Sequence, residues 1–189
     1  MASPDRHLPP ATLLPMAGDG TIEWVLDTLF EPSEDLHALA VPAIRNTQTI
    51  GSYEHLIRDI GALMSQLAES TAPDDRAKLH RILGSHPRLG EKKVKSAQSR
   101  AEQAHLNTSD NSREKEIEAA KLKELNEEYE ARFPGLRYVV FVNGRSRIAV
   151  MQNMRERIDR GDIRAEEREA IQAMVDIALD RAEKLKPLI

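Results

Sequence analysis

Two short stretches hold the residues best suited to chemistry, Ser85-His86-Pro87-Arg88-Leu89-Gly90 and Ser99-Arg100-Ala101-Glu102-Gln103. A free histidine titrates near about 6.5, so modest local effects make it an acid or a base around neutral pH. Most single histidines simply bond a loop carbonyl, and His7, His37, His55, His80 and His105 are read that way. His86 differs by position, because it follows a helix stop at Gly84 and precedes a proline that restricts its backbone. Ser99, Glu102 and Gln103 recur at i, i+3 and i+4, which puts three hydrogen-bonding side chains on one helix face. The same Ser-x-x-Glu spacing is also a capping box, in which serine and glutamate satisfy the orphan N–H groups of a helix start. On spacing alone the cap is the better account of Ser99 and Glu102, and a helix N-terminus is itself attractive to anions. Arg181 lies beside the apolar stripe of the last helix. If buried, it requires a carboxylate partner or an anionic ligand; snorkelling to the surface is the alternative. Arg88, Lys92, Lys93 and Lys95 add positive charge around the motif loop, and most of them are read as ordinary solvated residues.

Absent residue types narrow the chemistry. The chain of 189 residues has no cysteine, which removes disulfides, thiolate metal sites and a cysteine nucleophile. It shows no His-x-x-x-His pair, no acidic calcium loop and no glycine-rich phosphate loop, so neither a metal nor a cofactor is expected. The net charge of −4 is spread over interspersed signs, which argues against nucleic acid as a partner. No apolar run approaches the roughly 20 residues of a membrane span, so no membrane is expected either. The first residues lack a secretory pattern, and Lys186-Pro187-Leu188-Ile189 is not the peroxisomal tripeptide. An intracellular protein, cytoplasmic or peroxisomal, is the expectation.

Helices must position these groups. Hydrophobic residues make up 40% and charged residues 31%, as in a globular protein, while aromatics are only 4%. A core of Leu, Ile, Val, Ala and Met favours helices over a sandwich. Residues 1–20 read as a proline-rich arm, packed or loose, before one domain over 21–189. Thr21 is placed to cap a helix through Phe30, and Ser33 one that ends before Pro42. Ser52 opens a helix whose stripe is Leu56, Ile57, Ile60, Leu63, Met64 and Leu67. Another runs from Pro73 to Gly84 with Ala77, Leu79, Ile82 and Leu83 inward. After a loop at 107–112 comes a charged helix, Arg113 to Phe133, with a narrow stripe of Leu122, Leu125, Tyr129 and Phe133. Its outer charges are assigned to solvent and i,i+4 pairs.

Arg137 to Val142 is the only strand-like run, and Asn143-Gly144 after it is a strong hairpin signal. The hairpin is rejected, because Ile148, Met151, Met154 or Arg155, and Ile158 are helically spaced behind a possible Ser146 cap. The last helix, about Ala165 to Leu185, carries Ile171, Met174, Val175, Ala178, Ala182 and Leu185 on one side. The sum is all-α: a single compact domain of about eight helices with one extended segment near 137–142.

Five short blocks in order resemble the 2-oxo-4-hydroxy-4-carboxy-5-ureidoimidazoline (OHCU) decarboxylases of urate breakdown. They are His86-Pro87-Arg88-Leu89-Gly90, Ser99-x-x-Glu102-Gln103, Leu125-Asn126-x-x-Tyr129-x-x-x-Phe133, Tyr138–Val142 with Gly144-Arg145-Ser146, and the last helix bearing Arg181. The resemblance implies an all-helical, usually homodimeric, cofactor-free carboxy-lyase that turns a small anionic ureido-imidazoline into (S)-allantoin. It implies His86 as the catalytic histidine and Glu102 as its partnering acid. Pro87, Ser99, Gln103 and Arg181 match substrate-binding positions, and backbone groups around Tyr138 and Val140 would contact the ligand. Arg88 departs from the acidic residue many members carry, and the arm before Gly20 and the Asn107–Arg113 insertion are not general features. Two alternatives compete with this reading. One is a non-catalytic helical interaction module, in which Ser99 and Glu102 are only a cap and Arg181 pairs internally. The other is a lyase for a related ureido acid.

Overall fold

The computed structural model describes residues 7–90, 96–104 and 112–186. Among them are eight α-helices, a 3-10 turn at Ala11–Met16 and no paired strand, so the fold is all-α. His105, Lys92, Lys93, Lys95 and most of the expected 107–112 loop lie outside the described residues. No described helix is long and apolar enough to cross a membrane.

Helix α1 (Asp19–Phe30) starts before Thr21, with Gly18 at its N-cap and no side-chain cap; Asp19 instead meets the dipole of the first turn. In α2 (Glu34–Asn46) the Ser33 hydroxyl accepts from the Leu36 N–H at 3.2 Å, as expected. The helix does not end before Pro42. Leu36, Ala40 and Ile44 form one buried stripe through the proline, and burying Ile44 outweighs one missing amide bond. Ser52 caps α3 (Tyr53–Glu69), and α4 (Pro73–Leu83) buries Leu79, Ile82 and Leu83, but Ala77 is exposed.

The centre of the core is α3 against α8 (Ile163–Lys184), with α1 beside them. A Cβ on Gly61 would sit 2.7 Å from Val175 Cγ2, so any larger residue at this close crossing would force Val175 to shift. Helix α8 begins earlier than its apolar spacing suggests, because Asp162 accepts from the Arg164 and Ala165 N–H groups at 2.9 and 3.0 Å. The proline-rich segment is packed from Leu8 onward: Leu8, Ala11 and Leu14 are buried, and Tyr53 donates to the Pro9 carbonyl at 2.8 Å.

Helices α6 (Ser112–Arg132) and α7 (Arg147–Arg160) pack as a pair. Charges on α6 reach other elements as well as their own helix: Glu118 pairs with Arg147, Glu128 with Arg155 and Glu130 with Arg88. Arg88 is therefore not simply solvated. Ser146 caps α7 as expected, but the buried face is Val150, Met154, Arg157 and Ile158, while Ile148 is 67% exposed. Residues 137–142 run extended between the two helices. No hairpin forms; the Arg145 N–H closes the Asn143-Gly144 turn on the Val142 carbonyl at 2.9 Å.

Candidate active site

The loop after α4 carries His86, and three other parts of the chain fix it. Arg137 Nη1 donates to the His86 carbonyl at 3.3 Å. From α6, Asn126 Nδ2 donates to the Leu89 carbonyl at 3.1 Å, and Arg88 forks onto Glu130. Gly90 has φ +83°, and a Cβ there would lie 2.7 Å from Leu122 Cδ2. Its N–H donates to Gln103 Oε1 at 3.0 Å, which leaves the Gln103 NH2 as a donor for a ligand oxygen.

Helix α5 (Ala97–Ala104) is not capped by Ser99. Ser96 does that, its hydroxyl accepting from the Ser99 N–H at 3.2 Å, and this overturns the capping-box reading. Ser99 is 1% exposed; its hydroxyl donates to Glu31 at 2.5 Å and accepts from Arg181 Nη2 at 3.0 Å. Glu102 forks onto Arg181, at 2.6 Å from Nε and 2.9 Å from Nη2. Arg181 is 2% exposed and does not snorkel. It also pairs with Glu31 at 2.8 Å and donates from Nη1 to the Thr28 and Leu29 carbonyls at 3.2 and 3.4 Å. A desolvated cation between two carboxylates and two carbonyls has the partners burial demands. Glu31 holds this place at φ +76°, a conformation that costs a non-glycine residue about 1–3 kcal/mol.

The extended segment is clamped from behind. Tyr138 donates to Asn153 Oδ1 at 2.7 Å, and its ring packs edge-on against Tyr129. The Arg157 guanidinium lies 4.8 Å from the Tyr138 ring centroid, donates to the Val139 carbonyl at 3.1 Å and meets Glu166 at 2.8 Å. Tyr129 donates to that same carboxylate at 2.6 Å. Burial pushes the Tyr129 and Tyr138 hydroxyls above the usual phenol range, so both remain donors. With the Tyr138 side chain committed to packing, the segment offers its main chain. No hydrogen bond among the described residues uses the backbone N–H groups of Tyr138 to Val142.

These pieces enclose a cavity of about 190 Å³ lined by His86, Pro87, Ser99, Glu102, Gln103, Tyr138 and Val140, all sequence candidates. Arg181 is the exception: it stands behind Glu102 and Ser99, outside the cavity wall. Asp180 and Lys184, paired at 2.5 Å, line the rim and had no signal in the sequence. Glu31, Arg157 and Glu166 were missed as well. Arg157 had one available clue, its place three residues after the inward Met154.

His86 is 5% exposed, and its buried Nε2 has no hydrogen-bond partner among the described residues. Burial first, and then the positive charge of Arg181, push the imidazole down to about 3, against an opposing pull from Glu102. The ring is therefore neutral at physiological pH, a proton acceptor that charges only when something new stabilises it. No group of three His, Asp or Glu side chains among the described residues is placed to hold a metal.

A helical domain with a buried, neutral histidine near hydrogen-bond donors and one carboxylate has the parts of an acid/base site for a small polar ligand. The family model of OHCU decarboxylase matches residues 17–183, and the chain belongs to that family, whose family-level activity is decarboxylation in urate degradation. A search of curated proteins found no match.

Proposed function

We propose that this protein decarboxylates OHCU to (S)-allantoin without a cofactor. The observation that supports the reading is His86, whose buried Nε2 has no partner among the described residues, in the wall of a cavity lined by the family's motif residues. Breaking the bond between C4 and the carboxylate releases carbon dioxide and leaves an electron pair. That pair forms a C4=C5 double bond as the adjacent ring C=N pair moves to nitrogen, which takes a proton. The resulting enol returns to a carbonyl when the 4-hydroxyl loses its proton and C5 gains one. The ring itself is the electron sink, so the protein has only to bind the anion and move protons.

His86, with Glu102 beside it, manages the protons at the 4-hydroxyl and C5, and a donor fixed on one face yields one enantiomer. Gln103 and the free N–H groups of 138–142 hold the ureido and carboxylate oxygens. Arg181, paired with Glu31 and Glu102, fixes the Ser99 and Glu102 side chains in the cavity wall. A homodimer is expected with this activity. Purified protein given freshly made urate oxidase product is expected to form dextrorotatory allantoin faster than the spontaneous reaction. His86→Ala is expected to lose roughly 10²–10⁴-fold, the usual worth of a positioned acid/base group. No acceleration by the wild type refutes the proposal.

The non-catalytic alternative draws support from Arg181, which pairs internally. It gives no account of His86 Nε2. Allantoin should raise the melting temperature of a decarboxylase and leave an unrelated module unchanged.

A further inference from the structure

Helix α1 ends on a glutamate where glycine is the cheaper residue. Glu31 closes the helix by donating its N–H to the Asp27 carbonyl at 3.0 Å, with φ +76° and ψ +152°. Pro32 favours an extended ψ at Glu31, so the local chain reinforces this geometry. The side chain is turned inward and buried, and it makes two contacts: it accepts the Ser99 proton and pairs with Arg181 Nη2. Neither Glu31 nor Arg181 lines the cavity, but Ser99 and Glu102, the residues they hold, do.

We propose that Glu31 is a positioning residue of this site, holding Arg181 and Ser99 from behind so that Glu102 is not the sole counter-charge of the buried guanidinium. The proposal rests on the decarboxylase reading above. Arg181 is anchored at Nη1 by the Thr28 and Leu29 carbonyls and at Nη2 by Glu31. Glu102 then occupies the remaining edge as one of two carboxylates and can turn toward His86 and the substrate without stranding the cation. With Glu31 neutralised, Glu102 becomes the only carboxylate on Arg181. It is drawn into that pair, and the Ser99 hydroxyl loses a charged acceptor.

The test compares Glu31→Gln and Glu31→Gly with the wild-type full chain in the decarboxylation assay, alongside thermal melts. Gln keeps the shape and an acceptor oxygen but not the charge; Gly also removes the backbone strain. The expected result is a kcat lower by about tenfold or more in both variants, with KM changed by less than about threefold and the proteins folded. A merely structural role would lower the melting temperature and leave kcat per folded molecule intact. That result, or variants that do not fold at all, overturns the proposal. An inactive wild type refutes the decarboxylase reading and Glu31's role with it; an active wild type matched by Glu31→Gln refutes Glu31's role alone.

Discussion

Acid should destabilise this protein partly through His86. Burial and the charge of Arg181 place the folded-state imidazole at about 3, against 6.5 in the unfolded chain. Between those values the unfolded state binds a proton that the folded state refuses, so stability rises with pH and is lost as pH falls from about 6.5 toward 3. Each unit across that window is worth about 1.4 kcal/mol, so by pH 4 the loss reaches about 3 kcal/mol. The group is fully enclosed, so solvent screening does not discount the figure. Urea unfolding followed by circular dichroism from pH 7 to pH 4 measures it, with His86→Gln as the reference. Carboxylates such as Asp35, lowered by hydrogen bonds from Arg81, and Asp162, lowered by the Ala165 and Arg164 N–H groups, lose stabilisation in acid in both proteins and cancel. The stability difference between wild type and variant should therefore shift against the wild type by about 3 kcal/mol over this range. A difference independent of pH refutes the buried environment assigned to the imidazole. A shift of opposite sign would mean that Glu102 keeps the ring protonated.

Two further outcomes separate local structure from the site. Ser96→Ala removes the true N-cap of α5 and should cost about 1 kcal/mol in thermal melts, whereas Ser99→Ala should spare the cap and impair turnover instead. Gly90→Ala forces φ +83° on a side chain that meets Leu122. It should cost about 1–3 kcal/mol and lower kcat by loosening the His86 loop, as melts and steady-state kinetics would register.

Features legible in the sequence were those decided within one or two helical turns. Ser33, Ser52 and Ser146 cap their helices because a hydroxyl needs only an N–H three residues on. Ser99 misled for the same reason. Its spacing to Glu102 satisfies the local rule, but its real acceptor, Glu31, is 68 residues away. Local rules end the second helix before Pro42, because the value of burying Ile44 is a tertiary quantity. Arg181 was recognisable as a charge needing a partner, but no spacing along α8 identifies Glu31 as one of them. The Asn126 and Tyr129 motif was visible as a pattern; its meaning required seeing that Asn126 holds the His86 loop while Tyr129 holds Glu166.

The Arg181–Glu31 pair joins residues 150 positions apart, and this ties the pocket to the docking of α8. Closing so large a loop costs chain entropy, and the contacts of α8 with α1 and α3 help offset it. The α3–α8 core contact and the polar cluster depend on the same helix. Because α8 supplies both the core stripe against α3 and Arg181, a substitution that weakens its docking should lower the melting temperature and turnover together.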